Sequence, residues 1–222
     1  MEAFPLTSKV CSVRLALLPL ALALTLAGCG GQRQLVPGGV YLKRTGCPQV
    51  AIPGATGDIT LFNPANSVAA SAIDVSATVT NLRSTCTQDE QYVVSTATFD
   101  VVATRRDAGQ ARQVVLPFYS AAVQGGAAIA AKRVGAVALD FAAGSYRAQG
   151  RAQATVRVAR SAVTLPADVV RELTRERKPG DADAAIDPLS DPKIRDAVAR
   201  STFEHLVGFQ LSEQQLRYNA TR

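Results

Sequence analysis

Apolar and polar residues alternate along three stretches in the middle of the chain. The first is residues 73–79, Ile-Asp-Val-Ser-Ala-Thr-Val, and the longest is residues 146–158, where Arg, Gln and Thr alternate with Tyr, Ala, Gly and Val. Between them, one face of a further segment carries Val93, Ala97, Phe99, Val101 and Ala103. A period of two is typical of strands with one face in the core and one in water. The pattern therefore predicts antiparallel strands.

Two more segments, 114–123 and 134–141, are strand-like, and glycine-containing turns at 106–109 and 125–126 separate the strands. Pro117 lies inside one of them, which predicts a sheet edge or a bulge there. Several such strands joined by short turns predict a mainly β fold. We expect an antiparallel β-sandwich with immunoglobulin-like layers, and a small β-barrel is the alternative.

The pattern changes after residue 164. A charged helix is predicted over 165–178, followed by a loop rich in Pro, Asp and Gly. Asp191 as N-cap and Pro192 at the first position open a second predicted helix. Its apolar stripe is Ile194, Val198, Thr202, Leu206 and Phe209. Ser212 is expected to cap a last short helical turn. These two C-terminal helices are expected to pack on the sandwich.

At the other end of the chain, Lys9 and Arg14 precede an apolar run over residues 15–26. This order, closed by the small residues Ala27 and Gly28, is typical of a secretory signal peptide. A helix that spans a bilayer needs about 20 apolar residues, and this run is shorter. The sequence therefore predicts export rather than a transmembrane anchor.

The residues at the end of that run, Leu26-Ala27-Gly28-Cys29, resemble the lipobox of bacterial lipoproteins. The resemblance implies cleavage between Gly28 and Cys29 and a diacylglycerol on the Cys29 sulfur. The alternative is an ordinary signal peptide followed by a chance cysteine. Two or three acyl chains hold a protein firmly on a membrane. Gly30, where Asp would favour the inner membrane, implies the periplasm-facing leaflet of the outer membrane.

Two further stretches, 57–66 and 209–219, are similar to those of small alphaproteobacterial envelope lipoproteins. This resemblance implies an envelope setting and no particular activity.

Four segments follow from these patterns. Residues 1–28 are the expected signal peptide, and residues 29–46 are a lipidated N-terminus with a tether kept irregular by Gly and Pro. The β-sandwich is expected over 47–162 and the helical extension over 163–222.

The chain has four cysteines. Cys11 leaves with the signal peptide and Cys29 carries lipid, which leaves Cys47 and Cys86 as a pair in an oxidising compartment. We predict that they form a disulfide. A metal site is the alternative, but two cysteines without neighbouring histidines do not favour it.

The formal net charge is +6, and loss of Glu2, Lys9 and Arg14 with the signal peptide lowers it by one. A mildly basic envelope protein can contact anionic lipid or other acidic polymers. No compact basic patch with interleaved aromatic residues is present in the sequence, and export also argues against nucleic acid. The expected partners are the membrane, through Cys29, and an envelope protein.

Candidate catalytic chemistry is scarce. The single histidine, His205, lies on the second predicted helix near its apolar stripe, where packing or capping explains it better than catalysis. The acidic loop 181–191 begins like a calcium loop, but Ala185 and Ile186 stand where an EF-hand needs an oxygen ligand and Gly. Turn-forming and capping aspartates are the preferred interpretation. We predict no catalytic residue, no metal site and no cofactor.

The sequence thus favours a non-catalytic envelope protein with a structural or accessory, partner-binding role. The alternative is a carrier or sensor of a small or apolar ligand, since the small side chains of 146–158 could leave room between layers. An envelope hydrolase, built from His205 and acidic groups that converge in space, is a third hypothesis.

Overall fold

A computed structural model describes residues 46–221 of the chain. Within that range the backbone forms eight strands: β1 (Gln49–Ala51), β2 (Asp58–Phe62), β3 (Ile73–Gln88), β4 (Tyr92–Arg105), β5 (Arg112–Gln124), β6 (Ala128–Phe141), β7 (Arg147–Ala159) and β8 (Phe203–Phe209). The α-helices of the same range are α1 (Arg160–Val163), α2 (Ala167–Thr174), α3 (Pro192–Arg200) and α4 (Glu213–Ala220). Two 3-10 turns, Ala70–Ala72 and Pro188–Ser190, complete the regular structure of these residues.

The strands form two four-stranded sheets. Sheet 1 has the order β1-β8-β5-β6, and sheet 2 has the order β2-β3-β4-β7. Every pairing is antiparallel except that of β1 with β8, which is parallel. One sheet is curled into a half-barrel, and the helices follow the first seven strands. The predicted mainly β fold, a sandwich or small barrel with C-terminal helices, is confirmed.

The core lies between the inward faces of the two sheets. The predicted apolar face of β4 is buried throughout, from Val93 to Ala103. It packs with the inward residues of β3, such as Val75, and with Leu116 and Leu139 of sheet 1. The period-two pattern was therefore a correct guide to which face is buried.

The small side chains of β7 bring the sheets close together. A Cβ atom added at Gly150 would lie 2.9 Å from the carbonyl oxygen of Ala138 and 2.9 Å from Leu139 Cδ2. Both distances are shorter than a van der Waals contact, so any side chain at this position would displace β6. Gly150 thus serves close packing, and no space for a ligand opens between the layers at this point.

Pro117 lies in β5, immediately before the residues that pair with β8. The pairing of β5 with β8 runs from Phe118 to Gln124, and the Pro117 carbonyl accepts a hydrogen bond from the Gln210 N–H at 2.9 Å. The N–H and C=O of one strand residue point to the same side of the strand. The missing N–H of Pro117 is therefore on the side of Gln210, beyond the last residue of β8, so no hydrogen bond between β5 and β8 is lost. Pro117 therefore lies in an interior strand of sheet 1, at the position where the pairing with β8 ends.

The second C-terminal helix was predicted too long. Helix α3 begins with the predicted Asp191 cap and Pro192, but it ends at Arg200, and Phe203–Phe209 form β8 instead. Leu206, Phe209 and His205 are therefore strand residues. In β8 the residues Phe203, His205, Val207 and Phe209 are buried with a period of two, and pairing with β5 and β1 satisfies the backbone. The segment 163–222 consequently contributes a strand to sheet 1.

The remaining helix predictions are closer to the structure. The charged helix covers Ala167–Thr174 rather than 165–178, and its Val169 packs on Ile194 and Ala197 of α3. Ser212 caps α4 in a capping box with Gln215, as predicted. No helix among residues 46–221 is long and apolar enough to cross a bilayer.

Arg105, at the end of β4, is a buried cation held by backbone carbonyls. Its guanidinium donates to the carbonyl oxygens of Ser145, Gln110, Gly109 and Ala142 at 2.7–3.2 Å. The same group lies 5.2 Å from the centre of the Phe141 ring. These contacts join the β4–β5 loop to the β6–β7 loop, so Arg105 fixes one end of the sandwich.

Candidate functional site

The predicted disulfide is present in the structure. Cys47 and Cys86 are bonded, with their Cα atoms 6.0 Å apart, which confirms the predicted pair. Cys47 precedes β1 of sheet 1, whereas Cys86 lies in β3 of sheet 2. The bridge therefore joins the two sheets near the start of β1 and the end of β3. Gly28 and Cys29, the predicted cleavage and lipid-attachment residues, lie outside the described residues.

His205 is fully buried between the sheets rather than placed on a helix. Its Nδ1 shares a hydrogen bond with the Ser95 hydroxyl at 3.0 Å, and its Nε2 shares one with the Ser120 hydroxyl at 2.9 Å. Ser95 belongs to β4 of sheet 2, while Ser120 belongs to β5 of sheet 1. The imidazole thus bridges the two layers through two hydroxyl groups.

Burial lowers the pKa of His205 from 6.5 to about 4, because the charged imidazolium loses its hydration. A neutral imidazole carries one donor and one acceptor, and each serine hydroxyl can take either role. Both ring nitrogens are therefore satisfied while the ring is uncharged. Ser95, Ser120 and His205 are all at least 96 % buried, so a substrate in solvent cannot reach them. This group is a polar cross-link of the core.

The aspartates of the acidic loop 181–191 make turns, helix caps and ion pairs. The Asp187 and Asp191 carboxylates accept hydrogen bonds from the Leu189 and Lys193 N–H groups. Asp183 is bonded to the Arg175 guanidinium, which holds the pKa of that carboxyl below its usual range. These are the turn-forming and capping roles expected of the loop. Among residues 46–221 no three His, Cys, Asp or Glu side chains are grouped to hold a metal ion.

A shallow groove lies on the outer face of sheet 2, and we call it the β3–β4–β7 groove. Its volume is about 530 Å³. Strands β3, β4 and β7 supply two rows of residues that run across the strands. The first row is Ser76, Thr104 and Arg147, and the second is Thr78, Val102 and Gln149. Ala103 and Ala148 complete the lining. The groove therefore presents hydroxyl groups, one amide and one guanidinium around a small apolar floor.

Arg147 gives the β3–β4–β7 groove its charge. Its guanidinium has no hydrogen-bonded or ionic partner within residues 46–221, in contrast to Arg151, two rows further along β7, which pairs with Asp100 at 2.9 Å. The hydrogen bonds from Arg151 and Asn81 hold the pKa of Asp100 below its usual range. On the far side of the groove, Thr78 donates to Asp58. The free donors near Arg147 suit a polar group that carries negative charge.

The sequence predicted that several residues of this groove face solvent, but it did not predict that they lie next to one another. The alternation over 73–79 and 146–158 correctly placed Ser76, Thr78 and Gln149 on solvent-facing positions. Their proximity depends on the register that pairs Ser76 with Thr104 and Thr104 with Arg147, which one sequence does not reveal.

Comparison with known proteins adds no relative: no protein-family model, curated protein or solved structure matches the chain.

Proposed function

We propose that this chain is a lipid-anchored protein of the bacterial envelope, held through Cys29 on the periplasm-facing leaflet of the outer membrane, with a non-catalytic, partner-binding role. The Cys47–Cys86 disulfide carries the proposal. Disulfides form and persist in oxidising compartments, of which the periplasm is one. The bridge also supports the proposed fate of each cysteine, since it uses the two that neither the signal peptide nor the lipid claims.

The anchor and the sandwich are compatible in this arrangement. A tether with the Gly- and Pro-containing composition of residues 30–46 spans on the order of 20 Å between the lipid and Cys47. The sandwich would therefore stand close to the membrane surface, with the β3–β4–β7 groove on the outer face of sheet 2 open to other envelope molecules.

Replacement of Cys29 by Ser tests the anchor. We expect Cys29→Ser to abolish incorporation of labelled palmitate and to release the protein from the membrane fraction. Cys11→Ser is the matched control, because the same substitution within the signal peptide should leave both readouts unchanged. If Cys29→Ser stays labelled and sediments with membranes, the proposed anchor is wrong. Crosslinking in the periplasm of intact cells tests the partner-binding role, which a chain recovered only as a monomer would contradict.

The β3–β4–β7 groove favours a second candidate function, a carrier or sensor of a small ligand. The unpaired guanidinium of Arg147 and the surrounding hydroxyls match a polar anionic ligand rather than the apolar one considered from the sequence. Native mass spectrometry of the chain purified from its own membrane should then show a retained mass that Arg147→Gln loses. Arg157→Gln, on the same strand but outside the groove, is the control. Equal retention by both variants would contradict this assignment.

A further inference from the structure

Strand β6 leaves part of one sheet edge uncovered. It is the last strand of sheet 1, with β5 as its neighbour on one side. From Ala128 to Val134 every residue is exposed, and Ile129 and Val134 are 65 % and 60 % exposed. Strands of sandwiches normally bury alternate residues, so this half of β6 extends beyond the packed core.

The direction of the backbone groups on this edge follows from Pro117. Its carbonyl points to Gln210, away from β6, so Pro117 and its partner Ala136 form a pair without mutual hydrogen bonds. The N–H and C=O of Ala136 therefore point away from β5, and by alternation so do those of Val134 and Lys132. The Ala138 carbonyl fits the same alternation, since it approaches Gly150 of β7.

Strand β7 lies against β6 at Ala138, so the free part of the edge is residues 128–136. Two cations stand near the centre of this stretch. Lys132 lies over the Tyr119 ring at 5.2 Å, and neither Lys132 nor Arg133 has an acidic partner within the described residues. A second copy of the chain paired symmetrically on this stretch would place Lys132 opposite Lys132, and like charges opposite each other destabilise a strand pair.

We propose that residues 128–136 of β6 bind an extended segment of an envelope protein, in which acidic and apolar side chains alternate, as an added strand of sheet 1. Backbone groups of Lys132, Val134 and Ala136 supply the hydrogen bonds. Successive side chains of a strand point to opposite faces, so the acidic side chains lie on the face of Lys132, which selects them, and Arg133 adds positive charge at the opposite face. This rests on the partner-binding role proposed above and names the partner's chemistry. The occupant is an acidic strand, because free donors and acceptors coincide with unpaired positive charge.

A short capped peptide in which Glu and Val alternate is the probe, and one in which Lys and Val alternate is its control. Fluorescence anisotropy with the full chain should show binding of the Glu peptide, with the Lys peptide at least about tenfold weaker. Hydrogen exchange should slow within residues 128–136 when the Glu peptide binds. No binding of the Glu peptide would overturn the proposal, and would mean that Lys132 and Arg133 protect the edge from pairing.

Two variants separate the contributions of backbone and charge. Val134→Pro removes an outward N–H that β5 does not use, so it should weaken binding of the Glu peptide at least about tenfold, while Val134→Thr should change it less than about threefold. If Val134→Pro does not fold, the double variant Lys132→Glu, Arg133→Glu decides, since it should prefer the Lys peptide. Unchanged binding of the Glu peptide by Val134→Pro and by the double variant would overturn the proposal. A wild-type dimer in analytical ultracentrifugation that dissociates in the double variant would overturn it as well.

The same variants distinguish this inference from the proposed function. If wild-type chain is crosslinked to a partner in cells and the double variant is crosslinked equally well, the edge is the wrong surface and the partner-binding role stands. If the wild-type chain is crosslinked to no partner, the partner-binding role itself fails.

Discussion

The buried imidazole of His205 should make stability depend on pH in a narrow window. The folded chain holds this group with a pKa of about 4, whereas the unfolded chain returns it to 6.5. Between these values the unfolded state binds a proton that the folded state does not. The free energy of unfolding must therefore fall as the pH drops below 6.5, and the loss is complete near pH 4. The pKa difference corresponds to about 3 kcal/mol.

The substitution His205→Gln isolates this contribution. Gln keeps one donor group and one acceptor for Ser95 and Ser120 but does not titrate. Carboxyl groups with lowered pKa values, such as Asp100 and Asp183, titrate in both proteins, so they cancel when wild type and variant are compared. The stability advantage of wild type over His205→Gln should shrink by about 3 kcal/mol between pH 7.5 and pH 4.

Urea denaturation at several pH values measures this difference. His205 is the only histidine of the chain, so its imidazole proton signals can be followed by NMR without further assignment. We expect no titration of the folded protein near pH 6.5. A stability difference that does not change with pH, or an imidazole that titrates near 6.5 in the folded state, would refute the reasoning.

Two further substitutions and the reduction of the disulfide test other contacts between the sheets and loops. Arg105→Leu removes a cation that four carbonyl oxygens hold, and calorimetry should show a loss of about 3–5 kcal/mol, whereas an unchanged melting temperature would contradict the role of Arg105. Reduction of the Cys47–Cys86 bridge, which closes 39 residues, should lower the unfolding free energy by about 4 kcal/mol, and the double variant Cys47→Ser, Cys86→Ser should not respond to reductant. Gly150→Ala should cost about 1–3 kcal/mol in urea denaturation, because its Cβ would meet the Ala138 carbonyl. Gly109→Ala, with open space around it, is the control, and equal effects of the two would contradict the packing argument.

The sequence was informative wherever one period dominated. The alternation in β3, β4 and β7 identified their buried faces, because burial of one face is what imposes that pattern. The apolar residues of 194–209 fit both a helical period and a strand period. Spacings of three and four favoured a single helix, while Phe203 to Phe209 also alternate as a strand. Only the pairing of β8 with β5 and β1 decides between them, and that pairing joins residues far apart in sequence.

The candidate sites could not be predicted from the sequence, because they too depend on strand pairing between distant residues. Arg147 looked like any solvent-facing residue of a strand, and its neighbours Thr104 and Ser76 come from two other strands. Lys132 and Arg133 interrupted an apolar stretch without indicating whether β6 is an interior strand or an edge. Both properties depend on sheet order, which local patterns do not encode.

The position of β8 has a consequence for the whole sandwich. This strand lies between β1 and β5, so β1 has no other partner in sheet 1. It also supplies His205, Val207 and Phe209 to the core. The disulfide, in turn, attaches the residue that precedes β1 to sheet 2. Residues 49–51 and 203–209 thus pair within one sheet, and the seven earlier strands cannot complete sheet 1 without β8.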